Sequence, residues 1–334
     1  MLNSAKYFAS LLFACLLTIG CSNEISLFEE GETIPVIYCL LNPQEDIQYL
    51  RLAKIYTVTK ETYQNNPIPD STRLSEPSLI YIEEYDENDD VENIFYFKET
   101  DFPERDSGLF SDNSYSLYRA EFKPVEGKTY VLYTYFQGQD KIISGKTVIM
   151  DIPELIDPLE VPFRMITFDS LSSLVVRWTP AQNGGLYQGV FRFHYAEQLG
   201  ENTDYKYVDF VTPLFSGLNT EYVSEKIINP NNFFINLSEN IPVTAGVIRI
   251  PISIEFQFYA TGIDVALQIH STGSLSGDFP SIFEFTNLIG GVGIFSSYVS
   301  FRVPNLKLSP VSIRNLQTHP LTRDLGFEFI IPKP

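Results

Sequence analysis

The heptapeptide Ile252-Ser253-Ile254-Glu255-Phe256-Gln257-Phe258 decides the fold class. Ile252, Ile254, Phe256 and Phe258 fall on one side of an extended chain, while Ser253, Glu255 and Gln257 fall on the other. Alternation with period two marks a strand with one dry face and one wet face. The pattern recurs upstream. Leu174, Val176 and Trp178 oppose Val175 and Arg177, and Phe191, Phe193 and Tyr195 oppose Arg192 and His194. Between these runs Asn183-Gly184-Gly185 signals a hairpin or a bulge. Residues 263–270 read ambiguously and fit one short helix, and late strands are expected at 293–302 and 326–331.

The amino-terminal half extends the same reading. Segments 33–41, 48–59, 78–85, 93–100, 115–122, 129–136 and 142–151 are short, rich in Val, Ile, Tyr and Phe, and separated by Asn, Pro, Asp and Gly clusters. Their spacing, with no helical period between them, favours a sandwich or barrel over a parallel sheet. Pro124-Val125-Glu126-Gly127-Lys128 is a turn, in which Pro fixes φ and Gly takes a positive φ. Pro153, Pro158 and Pro162 punctuate a stiff link. The expected architecture is all-β, with two tandem β-sandwich domains of Ig- or transthyretin-like type. They cover 33–152 and 163–334, are joined by the link 153–162, and leave room for a short helix or two in the second.

Composition narrows the function. The 334 residues include 23 Lys and Arg against 42 Asp and Glu, a net charge of −19. Nucleic-acid backbones demand clustered cations, so that class of partner is excluded. The acidity suits solubility beside a membrane, or cation binding. The 26 Phe and 20 Tyr favour strands. A chain of this length holds two domains and buries a large core without covalent staples.

Leu11–Cys21, LLFACLLTIGC, carries the clearest chemistry. After Lys6, residues 7–20 form an uncharged apolar run, shorter than the ~20 residues needed to span a bilayer but suited to a signal-peptide core. Thr18-Ile19-Gly20-Cys21 then fits a lipobox. Cleavage after Gly20 leaves Cys21 bearing a diacylglyceryl thioether and an acylated amine, with each buried CH₂ contributing about 0.8 kcal/mol to anchoring. The rival Cys15 would leave too short an apolar core, and residues 21–32 form an acidic tether. The alternative is an ordinary signal peptide with a chance cysteine. Cys39, inside an apolar run, reads as a buried small hydrophobe.

Other motifs are weaker. His194, His270 and His319 lack a second ligand at zinc spacing. Gly273-Ser274-Leu275-Ser276-Gly277 places leucine where a nucleophile elbow needs serine. Gly290-Gly291-Val292-Gly293 lacks the Lys-Ser/Thr of a phosphate loop and reads as a tight turn. In the acidic run 83–92, Asp86, Asn88 and Asp90 alternate as in a calcium loop. Val91 stands where such a loop needs Gly and no closing Glu follows, so a solvated hairpin tip is the simpler reading. Glycosidase carboxylates are defined by their separation in space, and 42 acids offer no choice of pair from sequence.

Pro35-Val36-Ile37-Tyr38-Cys39-Leu40-Leu41-Asn42 and Gln48-Tyr49-Leu50-Arg51-Leu52 resemble the opening of an uncharacterised family of Bacteroidota outer-membrane lipoproteins. Glu126-Gly127-Lys128-Thr129-Tyr130, the link near Pro153 and Gly291-Val292-Gly293-Ile294-Phe295-Ser296-Ser297-Tyr298 fit as well. The resemblance implies an all-β domain of unknown function, often encoded beside TonB-dependent transporters, with no catalytic residues to carry over. Ser71 and Ser170 match the short O-glycan acceptor pattern of such bacteria. The favoured expectation is a non-enzymatic binding or accessory module, lipid-anchored at the outer membrane through Cys21. It would have no other cofactor, and its partner would be a transporter, another envelope protein or an extracellular ligand. A carboxylate-based hydrolase of glycans and a purely structural surface module stand as the alternatives.

Overall fold

The computed structural model of the chain describes residues 33–56, 77–101, 115–136, 142–159, 165–169, 174–216, 223–271 and 286–328. Both hydrophobic cores lie within the compact unit formed by Pro35–Lys54 and Asp70–Pro334. The other unit, Met1–Ile34 with Ile55–Pro69, contributes only the ends of the first two strands among the described residues.

The amino-terminal half supplies β1 (Thr33–Leu41), β2 (Ile47–Tyr56), β3 (Pro77–Tyr85), β4 (Val91–Tyr96), β5 (Lys98–Thr100), β6 (Tyr115–Glu121), β7 (Thr129–Phe136) and β8 (Ile142–Val148). Then come β9 (Glu154–Asp157), β10 (Met165–Ile166), β11 (Leu174–Thr179), β12 (Gly184–Leu199), β13 (Asn202–Val211), β14 (Phe215–Ser216) and β15 (Ser224–Ile228). Helix α1 (Asn231–Asn240), strand β16 (Val247–Gly262), helix α2 (Ile263–Ser271), β17 (Leu288–Ile289), β18 (Val292–Leu308) and helix α3 (Pro310–Thr318) complete the order.

The fold is all-β, and the described strands form three sheets. The longest runs β13-β12-β16-β18-β1-β2-β6-β5, with β10 and β14 attached to its sides. A five-stranded sheet, β17-β8-β7-β3-β4, packs on its β1–β6 end, and a three-stranded sheet, β15-β11-β9, packs on its β12–β18 end. Two sandwiches result, and they share one long sheet. Ile37, Cys39, Leu41, Leu50 and Leu52 meet Ile80, Ile82 and Leu132 in the first core. Phe191, Phe193, Phe256 and Phe258 meet Trp178, Phe168 and Phe233 in the second.

The strand β18 belongs to both. Its first part pairs parallel with β1, from Val36↔Val292 to Leu41↔Ser297. Its later part pairs antiparallel with β16, from Thr261↔Tyr298 to Ile254↔Leu306. Leu288 and Phe295 therefore fill the amino-terminal core, although they lie in the carboxy-terminal half of the sequence. Backbone contact this close requires Gly293, whose φ is +122° and whose ideal Cβ would stand 1.9 Å from the Ile37 carbonyl oxygen.

The chain passes from one core to the other at Ile149 and Met150. The link beyond is only partly a spacer, because Glu154–Asp157 is strand β9 at the edge of the small sheet, paired with β11. Prolines leave the backbone extended, and an edge position tolerates their missing N–H. Asn183 carries the positive φ at the corner where the chain crosses from the small sheet to the long one, and the register shifts at Gly184, so this signal is a bulge.

Among the described residues three short α-helices form, where one or two were expected. Helix α1 buries Phe233, Phe234 and Leu237, spaced to share one face. Helix α2 takes the ambiguous stretch. Helix α3 starts at Ser309, whose Oγ accepts from the Ser312 amide at 3.2 Å, with Pro310 in the first turn. Among the described residues no helix is long and apolar enough to cross a membrane. The strand expected at 326–331 is reduced to one parallel bridge, Arg249↔Phe327, and residues beyond 328 lie outside the described set.

A buried carboxylate braces the first sandwich. Glu84 accepts from Tyr130 Oη, from Lys128 Nζ at 2.9 Å and from Asn93 Nδ2 at 3.0 Å. Burial alone would push its carboxyl up, but the Tyr130 and Lys128 hydrogen bonds outweigh burial and hold it below the usual range. A native pKa below the unfolded one stabilises the fold above the unfolded value, about 4.3, and that gain is lost as pH falls through the native value. Glu84→Gln should therefore cost on the order of 1–3 kcal/mol at neutral pH and less in acid. Melting curves at neutral and acid pH check this, and equal losses for both proteins on acidification would refute the assignment.

Candidate functional site

The side of the long sheet away from the cores is wet, and it carries an ordered set of charges. Asp209 on β13, Arg192 on β12 and Glu255 on β16 stand opposite one another in register. Arg192 grips Asp209 with a two-pronged fork, at 2.7 and 2.8 Å, and lies 4.1 Å over the Tyr207 ring. Such bidentate pairs fix geometry as well as charge.

Glu255 is the centre of the set. Its side chain is only 5% exposed, and it accepts from Arg302 on β18 and from Gln257. Burial pushes its carboxyl up, and these two donors outweigh that and hold it below the usual range. Beside it, β18 bulges. Ile254 pairs with Leu306 while Phe256 pairs with Val303, and Asn305 takes φ +60°. Bulges redirect side chains and commonly border functional sites. Here the bulge opens a depression of about 540 Å³ lined by His194, Ser253, Glu255, Arg302 and Asn305.

Ser253 faces His194 across the strands, and His194 Nε2 lies 3.9 Å from Glu255 Oε2. The residue types of a nucleophile, a base and its orienter are thus neighbours. No hydrogen bond links Ser253 to His194 among the described residues, and Glu255 is committed to Arg302 and Gln257. The arrangement is an ion-pair lattice centred on Glu255. A second hollow of about 650 Å³ opens on the same face over β1, β2 and β18.

The other sequence candidates are placed as follows. Asp86, Asn88 and Asp90 form the tip of the β3–β4 hairpin. Asp86 Oδ1 accepts from the amides of Asn88 and Asp90, both at 2.9 Å, and Oδ2 accepts from Asn88 Nδ2. These bonds, the Asp90 amide first, lower the Asp86 pKa. The carboxylate closes its own loop, and no group of three His, Cys, Asp or Glu among the described residues is placed to hold a metal. His319 stacks on Phe234 at 4.6 Å and lies 3.1 Å from Asn231 Oδ1. His270 falls in α2. Cys39 is buried, which pushes its thiol up. Cys21, Ser71, Ser170 and the 273–277 motif lie outside the described residues.

On the five-stranded sheet, Tyr81 stands within 6.1 Å, ring to ring, of Tyr96, Tyr133 and Tyr135. Its hydroxyl pairs with Tyr135, and the Tyr85 hydroxyl donates to Glu83 at 2.7 Å. This cluster satisfies itself.

No family model matches the chain, and no curated protein matches it. Among solved structures, it is similar to trypsin-activated α2-macroglobulin from Escherichia coli at 10% identity and TM-score 0.19, covering 70% of this chain and 14% of that one. It is also similar to the IG1 and IG2 domains of DIP-gamma, at 10% identity and TM-score 0.16, covering 82% and 97%. The CBD12 region of CALX1.2 gives 9% identity and TM-score 0.17, covering 80% and 99%. At these scores the likenesses carry no weight for function.

Proposed function

We propose that this protein is a non-enzymatic binding module, held at the outer membrane by lipid on Cys21, whose contact surface is the wet face of the long sheet. The supporting observation is the face itself. It spans strands of both sandwiches, the charges around Arg192 and Glu255 are held by defined pairs, and it carries exposed tyrosines on β1, β2 and β13. Fixed polar groups between aromatic side chains suit recognition, because little side-chain freedom is lost on binding. The partner is an outer-membrane transporter, another envelope protein or an extracellular ligand.

Two measurements test this. Cys21→Ser should move the protein from the membrane fraction to the soluble fraction, and continued membrane association would place the anchor elsewhere. Purification from gently solubilised outer membranes should recover a partner at matched stoichiometry. Repeated isolation as a lone protein that binds nothing would overturn the reading.

A further inference from the structure

The hollow over β1, β2 and β18 carries a more specific message than the rest of the face. The sheet order β18-β1-β2 sets Tyr298, Tyr38 and Tyr49 on three consecutive strands, all on the wet side. Their sequence neighbours Val299, Ile37, Cys39 and Leu50 are buried in the cores. Tyr38 and Tyr49 are 39% and 46% exposed, a large area to leave in water for side chains of this size. A volume of about 650 Å³ lies in the range of small-molecule sites.

One wall of the hollow is the loop from Asn42 to Asp46, and that loop is locked from beneath. Gln48, 1% exposed, accepts from the Asn42 amide at 2.7 Å and donates to the carbonyls of Asn42 at 3.1 Å and Glu45 at 2.7 Å. Asn42 Oδ1 accepts from the Gln44 amide at 2.9 Å, and Gln44 Oε1 accepts from the Ser300 amide at 3.1 Å. The loop is thereby tied to β18 as well as to its own hairpin. It holds the exposed Glu45 and Asp46 at the edge of a tyrosine-lined hollow in a set position.

The chemistry of this set selects a ligand. Tyrosine rings stack on the apolar C–H face of a sugar ring, and phenol hydroxyls both donate and accept. Carboxylates accept strongly from hydroxyl groups. Two carboxylates at the rim of a chain with net charge −19 repel phosphate, sulfate and uronate groups. Arg51, which also borders the hollow, already has a partner within the protein. A peptide captured through its backbone needs a free sheet edge, whereas the backbone here is paired on both sides.

We propose that this hollow binds a neutral oligosaccharide, with Tyr38, Tyr49 and Tyr298 as stacking surfaces and Glu45 and Asp46 as acceptors for its hydroxyls. The assignment rests on the binding-module reading and gives it a ligand class.

Affinity electrophoresis of the mature chain tests it, in gels containing amylopectin, galactomannan, xyloglucan or, as an anionic polymer, polygalacturonate. At least one neutral polymer should retard the protein. Tyr38→Ala and Tyr49→Ala should each weaken retardation about tenfold or more, and Glu45→Gln with Asp46→Asn should weaken it comparably. Tyr96→Ala, on β4 of the five-stranded sheet and 57% exposed, should leave it unchanged, and melting temperatures should match the parent's because these side chains are exposed. Absence of retardation by every neutral polymer, retardation by polygalacturonate alone, or full retardation of both tyrosine variants would each overturn the inference. If a membrane partner co-purifies with the parent protein while no neutral polymer retards it, the glycan site falls and the binding module stands. A parent protein that neither recovers a partner nor binds any polymer overturns both.

Discussion

Gly293→Ala should abolish the native fold or lower its stability by more than about 4 kcal/mol, the range reserved for backbone strain and core disruption. The added methyl would sit 1.9 Å from the Ile37 carbonyl oxygen and 3.0 Å or less from the carbon and nitrogen of the same residue. Ile37 is fully buried and its backbone pairs with Gly293, so it has nowhere to retreat. The φ of +122° is also a region that L side chains rarely adopt. With total stabilities of about 5–15 kcal/mol, this loss is most of what the protein has. Gly127→Ala is the matched comparison. It also has positive φ, at +77°, but open space around the missing Cβ, and should cost only about 1–3 kcal/mol. Soluble yield and thermal melting of the two variants read the difference directly. A Gly293→Ala protein that melts with the parent would mean that β1 and β18 do not pair.

Arg249→Leu is expected to cost about 3–5 kcal/mol, as removal of a buried charged partner generally does. This guanidinium is 1% exposed and points at three separate acceptors: Glu197 Oε2 at 2.8 Å, the Pro242 carbonyl at 3.0 Å and the Leu325 carbonyl. Its own backbone takes part too, donating to the Gly326 carbonyl at 2.7 Å and accepting from Glu328 at 2.8 Å. Leucine fills the volume but leaves the two carbonyls unpaired, at about 1–3 kcal/mol for each buried group. Glu197 keeps Lys206, so the carboxylate is not stranded. Arg249→Lys should recover little, because a point ammonium cannot serve three diverging acceptors. Glu197→Gln should cost only about 1 kcal/mol. Denaturant midpoints for the three variants give the order, and a larger loss for Glu197→Gln than for Arg249→Leu would place the weight on the wrong partner.

The faces of individual strands were legible in the sequence, because alternation is local. Ile254, Phe256 and Phe258 are buried and Ser253, Glu255 and Gln257 line the other side, but Ile252, which alternation places on the dry side, is 40% exposed and borders the wet depression, because the register of β16 on β12 shifts there. Pairing was not legible. Strand β18 reads as 293–302 from hydropathy but runs Val292–Leu308, because its carboxy-terminal part breaks strand chemistry for structural reasons. Gly293 and Ser296-Ser297 permit close approach at one end, and Pro304-Asn305 forms the bulge at the other. The glycine run does turn at Gly290-Gly291, and Gly293 lies within the strand that follows.

The candidate site divides in the same way. Arg192 and His194 stand on the polar side in the sequence pattern, but their meeting with Asp209, Glu255 and Arg302 depends on register across four strands. The acidic tip at 83–92 is recognisable as a hairpin. That Asp86 spends its oxygens on its own loop follows only from the backbone's path, which composition does not encode.

The parallel pairing of β1 with β18 also sets the order of events during biosynthesis. Val36 lies beside Val292, so the earliest strand made waits for nearly the last. Domains ordinarily fold as they emerge, amino end first. Here Leu288 and Phe295 complete the amino-terminal core, so that core stays open until the carboxy-terminal half has been delivered. Contacts so distant in sequence are slow to form. In a nascent chain of this topology the amino-terminal sandwich is completed only after β17 and β18 have been made.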